Sequence, residues 1–153
     1  MRLGSAMQEG SPRESGLGVR AEVSRRRRIL VIDHDDDTRL IVCDRLVAMG
    51  FDAVGEDNGI SGLVRIAHEI DGAPLTGVVL ELDMPVLGGM AVLQELRDRY
   101  PAVPVIAMSH SILIDRLRQA VKLGAREYVV KPFDSELFRT KCLRAFVNGS
   151  DAA

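Results

Sequence analysis

Four apolar runs in this chain each stop at a residue that could do chemistry. The run at 78–82 carries Glu81, with Asp83 just beyond it, and Met84-Pro85 then turns the chain towards Gly88-Gly89. The run at 29–32 stops at Asp33 and His34, the run at 103–108 at Ser109, and the run at 127–130 at Lys131. In open parallel α/β sheets ligands bind at the carboxyl ends of the strands, which is where these carboxylates, hydroxyl and ammonium would stand. One polar residue at a strand end is mere punctuation. Four in matching positions point to a shared site.

Other chemistries lack their motifs. No GxGxxG, Walker loop, HExxH, CxxC or G-x-S-x-G is present, which sets aside nucleotide, zinc-hydrolase and serine-hydrolase sites. His34, His68 and His110 do not share metal spacing, and His68 reads as a surface residue of a helix. Residues 33–38 resemble the D-x-D-x-T loop of haloacid-dehalogenase phosphatases, which would make Asp33 and Asp35 nucleophile and acid. Asp37 stands where that loop has threonine, and 153 residues leave no room for a sizeable cap domain. This enzyme reading is therefore kept only as an alternative.

Composition bounds the rest. A chain of 153 residues with mean hydropathy +0.06 suits one globular domain. Twenty basic and 22 acidic residues leave a formal charge of −2, which predicts no specific nucleic-acid partner. Cys43 and Cys142 lie in apolar helical patterns, as reduced core thiols would. No apolar run approaches the roughly 20 residues of a membrane span, and no secretory h-region is present. The expectation is a soluble, cytoplasmic protein.

The elements that would position the polar residues alternate along the chain. Residues 1–24 read as a disordered tail rich in Gly, Ser, Arg and Glu, residues 25–148 as the domain, and 149–153 as a C-terminal tail. The basic run 25–28 reads as a solvated flank. Strands are expected at 29–32, 51–54, 78–82, 103–108 and 127–130. The acids after Asp33 suit a helix start. The first helix would turn Leu40, Ile41, Leu46, Val47 and Met49 inward and stop at Gly50. The second, opening after Asp57-Asn58-Gly59, would bury Leu63, Val64, Ile66, Ala67 and Ile70. The third, at 90–100, would bury Val92, Leu93 and Leu96. A fourth at 112–123 would stop at Gly124, with one or two of Ile112, Leu113 and Ile114 facing the core, and a fifth would span 135–147. Five strand–helix alternations predict a doubly wound α/β sandwich with a five-stranded parallel sheet and five flanking helices.

With ILVID at 29–33, EDNG at 56–59, MPVLGG at 84–89, PVIAMS at 104–109 and GAREYVVKPF at 124–133, residues 29–146 resemble the response-regulator receiver domain of two-component signalling. The resemblance implies the (βα)5, flavodoxin-like fold. It implies a strand-end aspartate that accepts a phosphoryl group from a kinase histidine with Mg²⁺ bound. By position Asp33 is similar to the first metal-binding acid, Ser109 to the switch hydroxyl, Tyr128 to the aromatic switch residue and Lys131 to the conserved-position lysine, followed by a Lys-Pro bond that is often cis in the family. The chemistry suits these types: acids hold the cation, a carboxylate attacks, and lysine supplies further positive charge.

The pattern then departs from the family. D-x-x-M-P spacing puts Glu81 at the phosphoacceptor position, and His34 replaces the second acid of the metal pocket, to which Asp83 contributes mainly through its backbone. Gly88 stands where an acid usually precedes the helix-opening glycine. The extra methylene of Glu81 moves the attacking oxygen by about 1 Å, roughly twice what a preorganised site tolerates. His34 contributes no negative charge and offers a nitrogen, which Mg²⁺ disfavours. Three readings stay open: a dead site, a carboxylate that imitates phosphorylation by reaching Lys131 and Ser109, and a receiver still phosphorylated on Glu81 or Asp83. The second is preferred, because Ser109, Tyr128 and Lys131 keep their identities. The expectation is a stand-alone, non-enzymatic pseudo-receiver with weak or absent Mg²⁺ binding. It would dock to a histidine kinase, a phosphotransfer protein or an effector, and form a homodimer through its fourth-helix, fifth-strand, fifth-helix face.

Overall fold

A computed structural model of the protein describes residues 27–71 and 75–148. The two tails, Arg25 and Arg26, and the side chain of Ile70 lie outside the described residues. Five strands, β1 (Arg28–Ile32), β2 (Asp52–Glu56), β3 (Gly77–Glu81), β4 (Val105–Ser109) and β5 (Glu127–Val130), form one parallel sheet in the order β2-β1-β3-β4-β5. Between and after them come α1 (Asp36–Ala48), α2 (Gly59–Asp71), α3 (Gly89–Arg99), α4 (Ile114–Lys122) and α5 (Ser135–Cys142), the last continuing as a π-helical turn, Leu143–Val147. This is the expected five-stranded, doubly wound α/β fold.

The continuous apolar runs are explained by burial on both faces. Every residue of β3 and β4 is buried, as is β1 after Arg28. Leu30, Ile32, Val78, Leu80 and Ala107 point to one face with Ile66 of α2, Val92, Leu93 and Leu96 of α3 and Ala120 of α4. Ile29, Val31, Val79, Ile106 and Met108 point to the other, with Val42 and Leu46 of α1 and Phe138 and Cys142 of α5. Gly50 and Gly124 take positive φ, 95° and 101°, where a side chain would be strained, and end α1 and α4 as expected.

Several details differ from the sequence reading. The inward face of α1 is Val42 and Leu46, while Leu40, Ile41 and Val47 are exposed. In α2, Val64 and Ala67 are exposed and Ile66 is buried. Ile112, Leu113 and Ile114 are all exposed, because the chain is still extended at Leu113 and α4 begins only at Ile114. β4 starts at Val105, since Val103 N–H turns back to Tyr100 C=O and Pro104 has no N–H to donate. β2 runs on to Glu56 because its pairing with β1 continues as far as Ile32. Cys142 is buried, but Cys43 is only half-buried. Within the basic run Arg27 is exposed, as on a solvated flank, and lies over the Phe51 ring, while Arg28 is half-buried and pairs with Asp52 and Glu69.

Candidate functional site

The strand order puts the C-terminal ends of β1, β3, β4 and β5 side by side, with the sequence order reversing between β1 and β3. Asp33 follows β1, Glu81 ends β3, Ser109 ends β4 and Lys131 follows β5. These four are the buried polar residues of the described chain, each at most 7% exposed. Backbone pairing fixes their places: Asp33 N–H donates to Glu56 C=O, Leu82 N–H to Met108 C=O, and Lys131 N–H to Ser109 C=O. Gly89 also holds Glu81 in place. A Cβ there would come within 2.2 Å of the Glu81 carbonyl oxygen, so α3 can start against the end of β3 only with glycine.

Lys131 Nζ is the centre of the cluster. It donates to Asp33 Oδ2 at 2.8 Å and to Glu81 Oε1 at 2.5 Å. The two remaining oxygens are also engaged, Asp33 Oδ1 by Asp35 N–H at 2.9 Å and Glu81 Oε2 by Asp83 N–H at 3.2 Å. All four carboxylate oxygens therefore have donors from the protein itself. Burial pushes the Lys131 ammonium down, but its hydrogen bonds to Asp33 and Glu81 outweigh this and hold it above the usual lysine value. The Lys131-Pro132 peptide is cis.

Ser109 does not meet Glu81, contrary to the expectation that one carboxylate would reach both it and Lys131. Its hydroxyl donates instead to Asp83 Oδ2 at 2.7 Å. His110 N–H approaches the same oxygen at 3.4 Å, and Arg116 Nη2 pairs with Asp83 Oδ1. Burial raises the Asp83 carboxyl, but the Ser109 hydrogen bond and the Arg116 charge outweigh it and leave the group below its ordinary value. Arg116 was missed by the sequence reading. Only its place two residues into α4, on the side facing β3, could have signalled it. Tyr128 is turned inward, 8% exposed, with its hydroxyl donating to Ser111 C=O at 3.1 Å. Asp35 caps α1 through Thr38 N–H.

Asp33, His34 and Glu81 could each place one ligand atom within 4.8 Å of the others, whereas Asp83 is outside this group. His34 is 44% exposed and its Nδ1 lies 3.8 Å from Asp33 Oδ1. Mg²⁺ demands near-octahedral oxygen coordination. Two carboxylates already bridged by an ammonium, with an imidazole as third donor, fit that ion poorly.

A family model for the response regulator receiver domain matches residues 29–142. The chain belongs to the receiver domain family. The receiver is 31% identical over 108 residues to the response regulator protein FleR of Pseudomonas aeruginosa and 30% identical over 107 residues to the regulatory protein AtoC of Escherichia coli. These alignments cover 71% and 70% of this chain but only 22% of either relative. Among solved structures, a receiver domain from Clostridium thermocellum superposes with a TM-score of 0.75 at 24% identity, covering 83% of this chain and 99% of that one. CheY from Borrelia burgdorferi, solved with CheX, BeF3 and Mg²⁺, gives 0.74 at 19% identity, covering 79% and 90%. Both confirm the fold of the receiver.

Proposed function

We propose that this receiver acts in two-component signalling by protein–protein contact and is not phosphorylated in the usual way. Supporting this is the Lys131 ammonium, bound at once to Asp33 and Glu81. With Glu81 at the acceptor position, the lysine that would meet an incoming phosphoryl group is already met by the longer carboxylate. All four carboxylate oxygens already have donors within the protein, so a cation would have to compete with Lys131 for them, and Mg²⁺ binding is weak. The inward Tyr128 favours the reading that Glu81 imitates the phosphorylated state over a decayed site.

The contact surface is the face made by α4, β5 and α5. Ile112, Leu113, Ile114, Leu117 and Val121 are exposed there, with Leu137 on α5. Apolar side chains exposed in such number on neighbouring elements suit a contact surface. The partners of this reading are a histidine kinase, a phosphotransfer protein or an effector, or a second copy of the chain. The reading is tested by incubating the protein with acetyl phosphate and Mg²⁺ and measuring its intact mass. No added phosphoryl group is expected. A phosphoryl adduct mapped to Glu81 or Asp83 would establish a phosphorylated receiver instead.

A further inference from the structure

α4 is thinly anchored. Of its nine residues only Ala120 is buried, and its N-cap, Leu113, supplies no side-chain cap. The strand ahead of it ends at Ser109, whose hydroxyl is held by Asp83. Within the first turn of the helix, Arg116 reaches back to the other oxygen of the same carboxylate. Three donors from the β4–α4 connection thus converge on one side chain from the β3–α3 loop: the Ser109 hydroxyl, the His110 N–H and the Arg116 guanidinium. Hydroxyl, amide and guanidinium are the donors that bind an anion. The Ser109 oxygen is itself fixed by accepting from Ser111 N–H at 3.0 Å.

We propose that Asp83 is a built-in anion for Ser109 and that Arg116, acting through Asp83, is a positioning residue that latches the start of α4 to the end of β3 without any phosphoryl group. The latch uses other atoms than the Glu81–Lys131 pair: the Asp83 side chain bonds to Ser109, His110 and Arg116, whereas Lys131 bonds to Glu81 and Asp33, and Glu81 meets Asp83 only at its backbone N–H. It holds the segment that displays Ile112, Leu113, Ile114 and Leu117 in one arrangement.

Amide hydrogen exchange of the full chain, with global stability followed in parallel by urea unfolding, tests the latch. Arg116→Ala and Asp83→Asn should each speed exchange of the amides at 111–118 by about 5- to 10-fold, the scale of a partly exposed charge-assisted bond. Exchange in β1 and β3 should not change. The double variant should exchange no faster than the faster single variant, because both break one interaction. Arg116→Lys should restore part of the protection. The latch bonds run from Ser109, His110 and Arg116 to the Asp83 side chain and do not involve Glu81, so Glu81→Gln should leave 111–118 unchanged, and loss of the latch and loss of the Glu81–Lys131 reading are distinguishable. Unaltered exchange in either single variant, or effects that simply add, would overturn the proposal.

Discussion

Glu81 and Lys131, 50 residues apart, meet at 2.5 Å with both side chains 5% exposed or less. Truncating Lys131 would strand two buried carboxylates at the C-terminal ends of the strands. Lys131→Met should lower unfolding free energy by about 3–5 kcal/mol, the usual cost of breaking a buried pair from one side. Glu81→Gln should cost markedly less, because the amide oxygen still accepts from Lys131 and only the weaker bond from Asp83 N–H is lost. Urea unfolding of the two variants checks the order, and equal losses would contradict the ion-pair account.

On the proposed function, the chemical defect has two parts and should be repaired only in two steps. Glu81→Asp shortens the carboxylate but leaves the imidazole of His34 in the cation pocket, and His34→Asp does the reverse. Each single variant should label weakly with acetyl phosphate and Mg²⁺, while the double variant labels well, since nucleophile and cation act as a unit. Strong labelling of Glu81→Asp alone would show that His34 is no obstacle. An unlabelled double variant would favour a decayed site.

Alkaline conditions should expose the buried thiol. Burial pushes Cys142 up to about 12 from an ordinary 9.0. Between those values the unfolded chain releases a proton that the native one keeps, so this contribution to stability is full below about pH 9 and is lost as pH rises towards about 12. The raised Lys131 acts in the same direction. Urea midpoints should fall over this range, less steeply in Cys142→Ala. At neutral pH iodoacetamide should modify Cys142 only after unfolding.

Backbone strain gives a test of the β3–α3 loop. Val86 has φ 66° and is 97% exposed, so it bears the cost of a left-handed conformation with no packing in return. Val86→Asn should raise stability by about 1 kcal/mol, because asparagine tolerates that region. Gly89→Ala should do the opposite by forcing α3 away from the Glu81 carbonyl. Thermal unfolding of both variants reads the signs directly.

The parts legible in sequence were those with redundant signals. β1, β3 and β4 are buried on both faces, so their apolar runs need no phase to be recognised, and the polar residue ending each run is conspicuous against it. Helix faces were harder. α1 has apolar residues all round, and nothing local chooses Val42 and Leu46 over Leu40, Ile41 and Val47; the packing of α1 on the sheet does. The Asp83–Arg116 pair was hard to see because its partners lie 33 residues apart and meet only where the loop after β3 comes against the first turn of α4. Ser109 was placed correctly at a strand end, yet its partner depended on which carboxylate the turn after β3 presents.

The buried lysine shared by two acids also bears on how the chain folds. Lys131 is 98 residues from Asp33 in sequence, and it arrives with the last strand. A nascent sheet of β1, β3 and β4 alone would bring two acids together in an apolar setting with no cation between them, so such a partial assembly is disfavoured by charge as well as by missing contacts. Docking of β5 supplies the ammonium that both acids share and offsets much of that penalty. Compensation of the buried acids thus arrives only with completion of the sheet, which favours the complete fold over partial assemblies.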